Sequence, residues 1–165
     1  MYRLWAPWRS RYVRQEEKEE GCIFCKKPKE NEDEKNYILL RGKFCFVILN
    51  RFPYNNGHLM IAPYRHIPSV EQLNSEESLE MMELLRKMIK ILKETLHPEG
   101  FNIGINLGKA AGAGIIDHIH LHLVPRWTGD YNFMPIFSET KVIPEALEMT
   151  YKELKEKLQL KEKLQ

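Results

Sequence analysis

From His118 to Leu123 the chain alternates imidazole with aliphatic side chains: Asp117-His118-Ile119-His120-Leu121-His122-Leu123-Val124-Pro125-Arg126. That period is the period of a β-strand, where residues two apart share a face. A helix would turn His120 away from His118 and His122. The segment is therefore read as a strand, Ile116–Pro125, with His118, His120 and His122 on one face. Ile119, Leu121 and Leu123 then face a core. Half of the chain's 6 histidines fall in this row, and packing alone gives no reason for such spacing.

The rest of the chain supplies elements to pair with that strand. Tyr37–Leu40, Lys43–Leu49, His58–Ala62 and Phe101–Leu107 read as strands, broken by Arg41-Gly42, Pro53, Asn56-Gly57 and Pro63. Asn74 with Glu77 forms a capping-box pattern. After it Met81, Met82, Leu84, Leu85, Met88, Ile89, Ile91 and Leu92 follow helical spacing, up to Pro98 and Gly100. Pro144 opens a C-terminal helix with Leu147, Tyr151, Leu154 and Leu158 on one side. The fold class expected is α+β: an antiparallel sheet of about five strands, one long helix and a C-terminal helix. Strand order is not fixed by these signals.

At 165 residues, 43% hydrophobic and 29% charged, the chain fits a single domain, 1–165, with a sizeable core. It divides into an arm (1–36), a core (37–140) and the C-terminal helix (141–165). Trp5, Pro7, Trp8 and Tyr12 lie among Arg3, Arg9, Arg11 and Arg14. This arm either packs on its own domain or frames a nucleotide or partner by stacking and charge. A net charge of +2 argues against bulk binding to nucleic acid or membranes. No apolar run approaches the ~20 residues of a membrane helix, and MYRLWAPWRS lacks an apolar signal core. A cytoplasmic location is expected, where 3 cysteines are a poor disulfide framework. Edge strands and an apolar C-terminal helix leave room for a homodimer.

Two chemistries could use the histidine row. One is a three-histidine metal centre, although His118 and His122 lie about 13 Å apart on an extended strand, whereas zinc needs ligands about 2 Å away. The other is nucleophilic catalysis: an imidazole attacks phosphorus, and an acceptor then resolves the phosphoramidate. Upstream, Asn106-Leu107-Gly108-Lys109-Ala110-Ala111-Gly112-Ala113-Gly114 suits the second. A loop of Gly and Ala lets phosphate oxygens approach backbone N–H groups closely, and Lys109 adds charge. Cys22-Ile23-Phe24-Cys25 is a single C-x-x-C, half of a zinc site or two free thiols; no βαβ pattern marks it as a redox dithiol. Cys45, inside a strand, reads as a small core residue.

These residues resemble the histidine triad (HIT) family, whose signature is His-φ-His-φ-His-φ-φ with φ apolar. Asn50 to His58 and on to Arg65-His66 is similar to the family's nucleoside-binding strand and loop, and Asn106–Arg126 to its catalytic stretch. Leu4–Arg9, Cys22–Cys25 and Arg126–Pro135 resemble the bacterial diadenosine-tetraphosphate phosphorylase-like branch. The resemblance implies a HIT-like fold, with His120 as nucleophile and His122 as a phosphate-binding histidine. Asn50 matches a ribose contact, His58 a residue lining the same pocket, and Asn106 a polar residue at the phosphates. Gly108, Lys109, Gly112, Ala113 and Gly114 form the implied phosphate loop. Phe46, Ile48 and Phe52 are candidates to sandwich the base. Where many members carry Gln and Ser or Thr, this chain has Ala113-Gly114-Ile115-Ile116, which leaves the acceptor open between water and phosphate. Cys22, Cys25, His66 and His118 match a structural Cys2His2 zinc set found in some members; His118 then serves the metal and His120 the chemistry. The implied function is nucleotidyl cleavage or transfer at the α-phosphate of a dinucleoside polyphosphate such as diadenosine tetraphosphate. The rivals are a nucleoside phosphoramidate hydrolase, a nucleotidyltransferase, or a nucleotide-binding regulator with incidental turnover.

Overall fold

Strand-length apolar runs become one antiparallel sheet in the computed structural model, which describes residues 21–130 and 145–163. The strands are β1 (Ile38–Arg41), β2 (Cys45–Leu49), β3 (Leu59–Pro63), β4 (Gly100–Ile105) and β5 (Leu121–Arg126). Their order is β1-β2-β3-β5-β4, so the last strand inserts between β3 and β4. The expected boundaries shift by one or two residues, except in the histidine row. There the strand begins only at Leu121, and His118 and His120 precede it in an irregular stretch. The physical reason is the short pairing of β3 with β5, which ends at Ile61↔Leu121. Beyond it one backbone bond, Ile119 N–H to Ile67 O at 2.7 Å, holds the segment.

Among the described residues four α-helices cover the sheet: α1 (Ile23–Glu30), α2 (Asp33–Asn36), α3 (Ser75–Leu96) and α4 (Leu147–Glu162). The capping box at α3 is present, with Asn74 accepting from Glu77 N–H and Glu77 accepting from Asn74 N–H. Met81, Leu84, Leu85, Met88, Ile91 and Leu92 are buried, while Met82, on the opposite side, is exposed. They pack with Tyr151, Leu154 and Leu158 of α4 on one face of the sheet, against Val47, Leu49, Ile61, Leu121 and Leu123. On the other face, Phe24 of α1 packs with Ile38, Phe46, Ile48, Met60 and Ala62. Helices α1 and α2 were not expected; Pro28 and the dense charge around them hide the helical pattern, yet Pro28 is buried inside α1. Residues 1–20 of the arm, with Trp5, Trp8 and Tyr12, and Pro144 lie outside the described residues.

The sheet edges are treated differently. At β1, Tyr151 Oη–H and Lys155 Nζ donate to the carbonyls of Ile38 and Leu39, at 3.2 and 2.8 Å. Helix α4 thus covers that edge. Strand β4 forms the other edge, and Asn102, Ile103 and Gly104 are exposed along it.

The loop between β2 and β3 is seated on α3 by a glycine. Gly57 has φ +70°, and a Cβ there would lie 2.6 Å from Leu96 Cδ1 and 3.2 Å from Leu92 Cδ2. Gly57→Ala is therefore expected to destabilise the fold by roughly 1–3 kcal/mol through overpacking and backbone strain. Denaturant unfolding checks this; an unchanged midpoint would contradict the packing described.

Candidate functional site

The histidines after β4 divide into two groups on the face opposite α3. His118 joins Cys22, Cys25 and His66, and the four ligand atoms all lie within 4.8 Å of one another. His118 Nδ1 is 3.3 Å from Cys22 Sγ, 3.5 Å from Cys25 Sγ and 3.2 Å from His66 Nδ1. Cys25 Sγ is 3.3 Å from His66 Nδ1. A tetrahedral ion with about 2.0 Å bonds to nitrogen and about 2.3 Å to sulfur needs ligand separations of about this length. The other ring nitrogen of His118, Nε2, donates to Pro63 O at 2.8 Å, which leaves the Nδ1 lone pair for a metal. Beside His66, the Arg65 guanidinium grips the Glu77 carboxylate twice, at 2.6 Å each, and holds that carboxyl below its usual range. Among the described residues this is the one such cluster of ligand side chains. His120 and His122 stand outside it, so a centre built from all three row histidines is not what the chain forms.

His120 and His122 make the second group, with ring centroids 4.7 Å apart. His120 is buried, and its Nδ1 lies 2.9 Å from the carbonyl of His118. A carbonyl only accepts, so Nδ1 carries the proton and Nε2 keeps a lone pair. Burial lowers the pKa of this ring, which keeps it neutral. Its Nε2 thus keeps the lone pair that nucleophilic attack requires, with no base needed to free it.

The tautomer of His122 follows from a relay behind it. Tyr54 N–H donates to His58 Nδ1 at 3.0 Å, and Asn50 Nδ2 lies 3.3 Å from the same atom. His58 Nε2 therefore holds the proton and donates to His122 Nδ1 at 2.9 Å. That leaves His122 Nε2–H as a donor. Burial, with the His120 ring adding to it, pushes the pKa of His122 down to about 4. His58 is fully buried behind His122, so it orients that ring from within. Asn50 is held at both ends, its Oδ1 accepting from Phe52 N–H at 2.9 Å. Asn55, which the sequence reading did not single out, ties this loop to the end of β5. Its Nδ2 donates to Pro125 O at 3.0 Å and to Asp130 at 2.7 Å. The Arg126 guanidinium, 2.7 Å from Asp130, holds that carboxyl well below the usual carboxylate range.

The Gly/Ala loop enters the site by register. β4 pairs with β5 through Gly104↔His122 and Ile105↔Leu121, so Asn106 follows one residue beyond, level with His120. Gly108 and Gly112 take φ +76° and +81°, which favours glycine at both. Lys109 and Gly114 are exposed. The N–H groups of Gly112 and Ala113 bond within the loop, to Lys109 O at 3.0 Å and Gly108 O at 3.4 Å.

Phe46 and Ile48 do not line an open base pocket. Both are buried beneath Phe24, whose ring instead packs on His120 with centroids 4.8 Å apart. Tyr54 stacks on His58 at 4.9 Å while remaining 54% exposed, an aromatic face at the rim that the sequence reading missed. Its place four residues before His58 was the available signal. Cys45 is buried in the core as expected, and burial pushes its thiol up to about 12.

Comparison with known proteins agrees with this arrangement. The HIT domain model matches residues 31–129. AP-4-A phosphorylase of Mycobacterium tuberculosis is 39% identical over 157 residues, covering 91% of this chain and 80% of that protein. Bis(5'-adenosyl)-triphosphatase of Dictyostelium discoideum is 28% identical over 94 residues, 57% of this chain and 62% of that one. A Zn-bound histidine triad family protein from Mycobacterium smegmatis superposes with a TM-score of 0.70 at 25% identity, covering 88% of this chain and 98% of that one. On the family match and the 39% identity, the chain belongs to the histidine triad (HIT) family.

Proposed function

We propose that this chain is an enzyme that transfers a nucleotidyl group from a dinucleoside polyphosphate of the diadenosine tetraphosphate kind, through a covalent nucleotidyl–His120 intermediate. The observation that carries this reading is the bond from His120 Nδ1–H to His118 O, which leaves Nε2 unprotonated and its ring fixed. The 39% identity to a protein named AP-4-A phosphorylase supports the substrate class.

In the first step His120 Nε2 attacks the α-phosphorus and forms a P–N bond. The P–O bond to the polyphosphate leaving group breaks, and its electron pair departs on that oxygen. His122 Nε2–H donates to a phosphoryl oxygen, steadied by the His58 relay. Asn50, Asn106 and the loop from Gly108 through Lys109, Gly112 and Ala113 to Gly114 hold ribose and phosphates. In the second step an oxygen of inorganic phosphate attacks phosphorus from the vacated side. The P–N bond breaks, and its electron pair returns to Nε2. We assign phosphate rather than water as acceptor, a choice supported by the 39% identity to a protein named AP-4-A phosphorylase.

We assign zinc to Cys22, Cys25, His66 and His118, a donor set of thiolates and imidazoles that suits this ion. All four positions would be filled, so zinc would supply structural cross-linking and not Lewis-acid catalysis. The exposed β4 edge, with Ile103 48% exposed, fits pairing with a second copy in a homodimer. No described helix is long and apolar enough to cross a membrane; three cysteines with no disulfide among them fit a cytoplasmic location.

Product analysis tests the reaction. Diadenosine tetraphosphate with inorganic phosphate is expected to give ADP plus ATP, and His120→Asn to lower the rate at least a thousandfold while nucleotide still binds. AMP plus ATP without phosphate would make the enzyme a hydrolase; release of ammonia from adenosine phosphoramidate alone would favour the phosphoramidate reading. Unchanged turnover in His120→Asn would exclude the mechanism.

Metal analysis is expected to return one zinc per chain. Cys22→Ser with Cys25→Ser should lose it and lower the melting temperature by several degrees or more. A zinc-free wild type of equal stability would contradict the assignment.

The buried imidazoles also fix a pH dependence. His122 has a folded pKa of about 4 against about 6.5 unfolded. Between those values the unfolded chain binds a proton that the folded chain does not, so stability falls as pH drops from 6.5 towards 4. Above 6.5 the group contributes no slope. Urea unfolding across this window should show the slope, and His122→Asn should flatten part of it; an unaltered slope in that variant would count against a buried neutral ring.

A further inference from the structure

The C-x-x-C motif carries more than ligands. Phe24 lies between Cys22 and Cys25 in the first turn of α1, and its side chain is fully buried. Its ring meets His120 with centroids 4.8 Å apart at 37° and His118 at 5.2 Å and 51°. Behind it stands Phe46 at 6.3 Å, itself stacked on Tyr64 at 5.4 Å. On another side of His120 lies the His122 ring, 4.7 Å away at 71°. The nucleophile is thus wedged between a phenyl ring and a second imidazole.

The imidazole needs such a wedge. Its terminal torsion is broad and roughly two-fold, so rotation about Cβ–Cγ is restrained only by the Nδ1–H bond and by what packs on its faces. A half-turn would break that bond and carry Nε2 away from its aim. An error near 1 Å in the attacking atom costs on the order of a hundredfold in rate.

We propose that Phe24 is a positioning residue for His120: its ring, anchored by the two cysteines that bracket it, fixes the imidazole so that Nε2 points at the phosphoryl group. The inference rests on the nucleotidyl-transfer reading above. Fully buried, the Phe24 side chain presents no open surface to a ligand in this structure. It acts through the ring it supports, and it joins the Cys/His cluster to the reacting atom.

Phe24→Leu tests this in the full, metal-loaded chain, with Phe24→Met as a second variant of different shape should the first fail to fold. Three quantities are read: kcat and KM with diadenosine tetraphosphate and phosphate, metal content, and the imidazole tautomers by long-range 1H–15N correlation. The expected result is a fall in kcat of at least tenfold, KM within twofold of wild type, and metal content unchanged. His120, a single Nδ1–H tautomer in the wild type, should become a mixture in the variant. Wild-type kcat, or a loss of kcat that only follows lost metal or lost folded protein, would overturn the proposal. So would a tautomer that stays single. If the wild type turned over no nucleotide, the reading of the reaction would fail, and the tautomer spectrum would still decide the role of Phe24.

Discussion

One hydrogen bond sets the character of this site: His120 Nδ1–H to the carbonyl of His118, at 2.9 Å. It makes Nε2 the basic nitrogen of His120, and it fixes the ring to the backbone of a residue that belongs to a different group. The Nδ1 of His118 faces two thiols and an imidazole, while its Nε2–H is bound to Pro63 O. Two adjacent histidines of one row therefore use opposite tautomers. The cluster at Cys22, Cys25, His66 and His118 and the proposed nucleophile, His120, are joined through the bond from His120 Nδ1–H to His118 O. Anything that moves the first acts on the second.

Burial and charge complete the picture. His118, His120 and His122 all have lowered pKa values, with desolvation as the main cause in each. Neutral imidazoles suit metal ligation, nucleophilic attack and neutral hydrogen-bond donation alike. The sheet provides the burial: α3 and α4 cover one face, and α1 covers part of the other with Phe24. The loop from Asn50 to His58 is pinned at several points, by Gly57 on α3, by Asn55 on Asp130, and by Asn50 on His58. Rigid supports of this kind are what a site needs to hold a reacting atom in place.

Much of this was legible in the sequence because its signals are periodic or positional. Alternation placed the three histidines on one face and the aliphatic residues on the core face. The Asn74/Glu77 pattern marked the start of α3, and residue types with the family resemblance brought Cys22, Cys25, His66 and His118 together across the chain. Other features carried no such signal. Strand order depends on long-range pairing, so the insertion of β5 between β3 and β4 could not be read locally. Helix α1 contains Pro28 and charged residues that mimic a loop. The early end of the β3–β5 pairing leaves His118 and His120 outside the strand, where alternation alone would have kept them. Phe46 and Ile48 look like pocket residues by type and position, but α1 lies over them. The role of His58 was hidden for a related reason, since only the folded chain shows it bonded to His122.

The central claim is that a nucleotidyl group resides on one particular nitrogen during turnover. The direct measurement is rapid quenching at neutral to alkaline pH during turnover of diadenosine tetraphosphate, followed by intact-protein and peptide mass spectrometry. The account predicts an acid-labile adenylyl adduct on the peptide that holds His120, formed before product release and absent in His120→Asn. An adduct on another residue, or full turnover with no adduct in single-turnover experiments, would contradict it.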